Sequence, residues 1–269
     1  MDRRSFLGVL PVGAGLTLVG QQAAHIPKDG EKRPSPVHDL YPSQDPALVK
    51  DIVAAAHTDV DRVSELVEQK PELAKSAWDW GFGDWESALG AASHMGRRDI
   101  ANVLIGAGAR PNLFTHAMLG HLDVVKAAVA AQPGIQAIPG PHGISLLAHA
   151  KFGGESAAGV LAWLTELGDA DPRATSLDTE EEQLKLYVGK YRFGDAENDY
   201  FEVLLNRRGM LAIKRADAPF GRVLLRVEEH GFAPGGAPSV RVRFRLQRGS
   251  VLGLAIHDPE PTVGARKLG

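Results

Sequence analysis

Three groups of side chains in this sequence have the types and spacing to do chemistry. Trp78, Trp80, Phe82 and Trp85 lie within eight residues and include three of the chain's four tryptophans. Rings gathered this way suit contact with a protein partner, because tryptophan dominates interface hot spots. The plainer alternative is that they cover the end of a helical stack. Residues 240–246 alternate strictly between apolar and basic, so a strand there has Arg241, Arg243 and Arg245 on one face, with Arg248 close by. Such a face can hold a phosphate or carboxylate, or it can be solvated and paired across a sheet with Glu202, Glu228 or Glu229.

The third group is the ten histidines. His116 and His121 are five apart, where one helix face needs three or four. His142 and His149 could approach them in space, but a zinc site needs a fourth group and nothing in the sequence names it. The histidines therefore read as structural, and neither a metal nor a cofactor is expected. Cysteine is absent, which excludes disulfides, thiol nucleophiles and thiolate metal sites. The patterns Gly-x-Ser-x-Gly, Ser-x-x-Lys, His-Glu-x-x-His and the P-loop are also missing. Gly106-Ala107-Gly108 closes a helical segment instead of linking a strand to a helix, so it is not a dinucleotide loop. No catalytic residue emerges, and the chain is expected not to be an enzyme.

The elements that must position these groups follow from composition and period. The 269 residues, 44% hydrophobic and 23% charged, suit two folded units. The net charge of -3 argues neither for nor against a nucleic-acid or membrane partner, no nucleic acid is expected, and the charge is unevenly spread. From Glu182 onward there are 15 Lys+Arg against 10 Asp+Glu, so that part carries +5 and the remainder -8. Residues 1–24 read as a signal peptide: Arg3 and Arg4, then Phe6 and Leu7 opening an uncharged run to Gly20. That run is too short for a comfortable membrane span. Residues 25–46, rich in Pro, Lys and Asp, read as a linker. Residues 47–173 have helical periodicity, 174–183 form a second linker, and 184–269 change to period two. Strands are expected at 184–193, 200–205, 210–215, 222–228, 240–248, 252–257 and 263–268, with Gly231 as turn punctuation.

Within the helical part, Ser87-Ala88-Leu89-Gly90-Ala91-Ala92 leads through Gly96 to Asp99-Ile100 and Val103-Leu104, then Gly106-Ala107-Gly108-Ala109-Arg110-Pro111-Asn112. This resembles the ankyrin repeat, and Gly120-His121 and Leu147, Ala150 and Gly154 return the same register. Gly96 is placed to end one helix in the left-handed conformation, and Asp99 to cap the next. Arg3, Arg4, Phe6 and Leu7 resemble the twin-arginine class of export signal. Residues 184–191 and 264–268 resemble the small lipocalin-like β-domain that follows exported hydrolases of the serine β-lactamase type.

These resemblances imply an α+β protein of two domains, an ankyrin-repeat α-solenoid followed by a small antiparallel β-barrel or meander. They also imply a periplasmic or secreted location, with no membrane span once the signal is removed. The function expected is that of a non-catalytic adaptor engaging another exported protein through ankyrin fingers and a concave helix surface. Self-association through the β-domain is a further option. The rival is a small ligand held in the lipocalin-like domain. A filled barrel and an exposed tryptophan patch would favour the adaptor.

Overall fold

The computed structural model describes residues 39–172, 176–218 and 220–269. Arg3, Arg4, Phe6 and Leu7 lie outside the described residues. Packing separates Met1–Tyr41 from Pro42–Gly269, and every described element lies in the second unit. No helix among the described residues is long and apolar enough to cross a membrane.

Four helix pairs come first: α1 (Pro46–Ala55) with α2 (Val60–Gln69), α3 (Ala88–His94) with α4 (Arg98–Gly106), α5 (Leu113–Leu119) with α6 (Leu122–Ala131), and α7 (Leu146–Phe152) with α8 (Ala158–Leu167). Most starts are written in the sequence as caps. The side chains of Asp45, Asp59, Ser87, Asn112 and Ser145 each accept a hydrogen bond from a backbone N–H in the first turn. Asp99, expected as a cap, instead sits inside α4 and pairs with Arg97, Nη2 to Oδ2 2.6 Å. The inner helices stack in the order α1, α3, α5, α7. Fully buried alanines on α3, α5 and α7, among them Ala91, Ala92, Ala117 and Ala150, let them approach closely.

A short hairpin, β1 (Ala77–Asp79) and β2 (Trp85–Ser87), projects between the first two pairs. After α8 comes α9 (Glu181–Leu184), then β3 (Gly189–Arg192), β4 (Tyr200–Leu205), β5 (Leu211–Arg215), β6 (Arg222–Glu228), β7 (Gly231–Pro234), β8 (Arg241–Gln247), β9 (Ser250–His257) and β10 (Pro261–Lys267). The last eight strands pair antiparallel in sequence order, and β10 closes on β3 to complete a barrel. Closure leaves the barrel itself without an open edge, so self-association through it would have to use side-chain faces. Its interior is filled: Tyr187, Tyr191, Phe232 and Phe244 meet with ring centroids 4.7 to 5.6 Å apart.

The expected two-domain arrangement, an ankyrin-repeat α-solenoid followed by a small barrel or meander, is therefore corrected. The described residues form nine α-helices and a closed eight-stranded barrel, and Pro42–Gly269 packs as one unit. The helix pairs are unequal, and 3-10 turns at Pro71–Lys75, Ile135–Ala137, Pro141–Gly143 and Gly154–Ala157 break their connections. Helical periodicity specifies which face of a helix is buried, not how the chain runs between helices. Gly231, read as a turn, instead opens β7, whose four residues are all buried. That strand is the one whose pairing with β6 and β8 carries the sheet around to closure.

Candidate functional site

The hairpin pairs Trp78 with Glu86 and Asp79 with Trp85. Strand alternation sends Trp85 outward, 63% exposed, and turns Glu86 inward, 0% exposed. The connecting loop contains Phe82 at φ 59°, a conformation costly for an aromatic residue. Its ring packs against the barrel core, which supplies the compensating contact. Trp78 and Trp80 pack against the core of the first helices. Thus of the four aromatic residues expected to meet a partner, Trp85 is the one most open to solvent. Beside it a cleft of about 350 Å³ is lined by Gln44, Pro46, Val49, Ala77, Trp78, Asp79 and Trp85.

Beneath the hairpin lies a cluster of ionisable side chains that the sequence reading did not assemble. Glu86 accepts from Trp80 Nε1 at 2.7 Å and lies 2.7 Å from His94 Nε2. His142 Nε2 is 3.2 Å and His57 Nε2 3.4 Å from the same carboxylate. Asp84, 4% exposed, stands behind His142: its Oδ2 is 2.7 Å from Nδ1, and its Oδ1 accepts the His142 backbone N–H at 2.8 Å. Arg222, on β6, donates to Asp84 Oδ2 and to the carbonyls of Gly235 and Trp80. Barrel and helices are therefore joined through one buried ion pair.

Burial alone would raise both carboxylates. For Glu86 the bonds from His142 and His94, with the charge of His142 and then His57, override it and hold the group at about 2. For Asp84 the two His142 bonds and the Arg222 bond do the same, again to about 2. Burial pushes His142 down, but Asp84 and Glu86 overcome this and lift it to about 9. The cluster is thus rich in fixed charge, and two of its rings are chemically defined. His57 Nδ1 lies 3.1 Å from the carbonyls of Val53 and Ala54, which only accept, so Nδ1 holds a proton and Nε2 is the ring nitrogen turned toward Glu86. His142 Nδ1 is likewise committed to Asp84, and its Nε2 faces Glu86.

His57, Glu86, His94 and His142 each offer a ligand atom, and all four atoms lie within 4.8 Å of one another. The expectation that the histidines do not cluster is corrected here, and the expectation of no metal loses its basis. Spacing along one helix cannot reveal this set, because the groups come from the α1–α2 turn, β2, the end of α3 and the 3-10 turn at Pro141–Gly143. One signal was readable: Asp84-Trp85-Glu86 places two carboxylates at the alternate positions that share a strand face.

The arginine stripe faces outward as its alternation required, with Val242 and Phe244 buried between. Arg243 Nε pairs with Glu228 at 2.8 Å, and Arg241 donates to the carbonyls of Pro238 and Val240. Arg245 is exposed. His116 and His121 meet through their Nδ1 atoms at 2.9 Å, apart from the cluster.

No family model matches the chain, and no curated protein matches it. Among solved structures the chain is similar to the crystal structure of SurE at 21% identity, with a TM-score of 0.27, over 45% of this chain and 28% of that one. The chain thus spans less than a third of that structure, and at this score the likeness assigns neither fold nor activity.

Proposed function

We propose that the chain is a non-catalytic binding protein that takes an extended apolar segment of a protein partner into the cleft beside the hairpin, in a periplasmic or secreted setting. The observation that carries this reading is Trp85, a large ring left 63% exposed at the mouth of a cleft whose apolar wall is Pro46, Val49, Ala77 and Trp78. Exposed tryptophan over an apolar depression is the composition of an interface anchor. The chemistry of the occupant is set by one further feature. Gln44 Oε1 is buried in the cleft lining and has no hydrogen-bond partner among the described residues. Gln44 and Asp79 are the polar residues of the lining, and such groups suit the backbone N–H groups of an extended chain. The filled aromatic interior of the barrel weighs against the rival in which a small ligand sits there.

Selection from a random peptide library against the full chain, counter-selected with a Trp85→Ala variant, tests this. The expected outcome is a family of peptides with one large apolar residue in an otherwise extended sequence, bound at least tenfold more weakly by the variant. No enriched family, or equal binding to the variant, contradicts the proposal.

A further inference from the structure

We infer that His57, Glu86, His94 and His142 form a site for one divalent transition ion of the zinc class. The inference is independent of the peptide cleft, since it shares no residue with the cleft lining. Convergence comes first. The four ligand atoms lie within 4.8 Å of one another. Bonds of about 2.0–2.1 Å in a tetrahedron would set them roughly 3.3 Å apart, so closing on an ion requires only modest movement. Glu86 and His94 are buried, while the His57 and His142 side chains, 26% and 29% exposed, leave an entry path.

The surrounding groups are arranged as a metal site requires. Ligating histidines ordinarily donate their second ring N–H to a carbonyl or carboxylate, which fixes the tautomer and the ring plane. His57 does so with Val53 and Ala54, and His142 with Asp84, itself held by Arg222. Trp80 Nε1 occupies Oε2 of Glu86, orienting the carboxylate toward the rings.

A plain hydrogen-bond network explains less. Trp80 and His94 already satisfy Glu86 at 2.7 Å each. His142 at 3.2 Å adds a further bond to the same carboxylate, His57 at 3.4 Å is a longer contact, and the three imidazoles crowd one another, His57 and His94 standing 5.0 Å apart between centroids. A shared cation gives the three inward ring nitrogens one common partner, displacing the protons that otherwise lie between them and Glu86. Three nitrogens and one oxygen without a thiolate suit zinc over calcium or magnesium, which demand oxygen cages.

The test is calorimetric titration of the full, chelator-stripped chain with Zn²⁺, paired with the visible spectrum of the Co²⁺ form. The site requires one ion per chain at sub-micromolar affinity and the intense bands of tetrahedral cobalt. His142→Ala should weaken binding at least 100-fold, and Asp84→Asn about 10–100-fold. A His116→Ala/His121→Ala variant should bind as the parent does. Circular dichroism checks folding, and if His142→Ala is unfolded, His57→Gln at the exposed rim takes its place. Absence of one-to-one binding, an octahedral cobalt spectrum, or loss of binding only in the His116/His121 variant overturns the assignment.

Discussion

At the scale of single residues, His149 shows how an acid-sensitive weakness is built into a core. The side chain is 1% exposed, its Nδ1 lies 2.8 Å from the Ser145 carbonyl, and its Nε2 has no partner among the described residues. The Phe114 ring stacks on it at 4.8 Å. Burial, helped by the charge of His94 and opposed by the Ser145 bond and Glu86, lowers it to about 4. A histidine depressed in the folded state binds its proton more readily when unfolded. Its contribution is therefore complete above the unfolded value of about 6.5 and is lost as pH falls toward 4. At about 1.4 kcal/mol per pKa unit, the loss is on the order of 3 kcal/mol. Asp84 and Glu86, held at about 2, lose their contribution only below the ordinary carboxylate range, and His142, raised to about 9, loses its own on the alkaline side. Urea midpoints compared at pH 7 and pH 4.5 should fall for the parent chain and fall less for His149→Phe. An equal drop in both would sink this reading.

At the scale of elements, two left-handed glycines that look alike in sequence have different weights. Gly120, at φ 80°, ends α5 where a Cβ would run into the Ser156 carbonyl oxygen. Gly168, at φ 84°, ends α8 with open space around it. Alanine at 168 should cost about 1 kcal/mol for backbone strain alone. At 120 the helix must also move off the neighbouring turn, so the cost should reach roughly 3 kcal/mol or more. Equal denaturation midpoints for the two variants would contradict the packing described. These elements differ in how far the sequence reveals them. Asp45, Asp59, Ser87, Asn112 and Ser145 announce their helices because a cap acts locally. The strand at Gly231–Pro234 was hidden, because glycine and proline at its ends signal a turn until the neighbours that pair with it are known. The barrel's closure followed that strand out of reach.

At the scale of the whole molecule, the β1–β2 hairpin, the finger of this fold, is where helices and barrel meet. Asp84 in its loop binds Arg222 of β6, Phe82 enters the barrel core, and Glu86 anchors the histidine cluster. The aromatic content of the hairpin was legible from spacing alone, whereas the division of its rings between the helix core, the barrel core and solvent was not. The cluster beneath was not. Its ligands span from His57 to His142, and only the stacking of α1, α3 and the later turn brings them together. Linking the three through one hairpin gives the exposed Trp85 a rigid mount, the property that limits entropy loss on binding. The four tryptophans also supply a built-in report on the proposed function. Trp78 and Trp85 line the cleft, Trp80 is bonded to Glu86, and Trp163 sits on α8. The most direct test follows their indole N–H signals in a ¹⁵N–¹H NMR spectrum of the full chain while a selected peptide is added. Binding at the cleft requires the Trp78 and Trp85 signals to move while that of Trp163 stays. If the peptide binds and leaves Trp78 and Trp85 unmoved, the partner site lies elsewhere and the finger is not what this protein uses to bind.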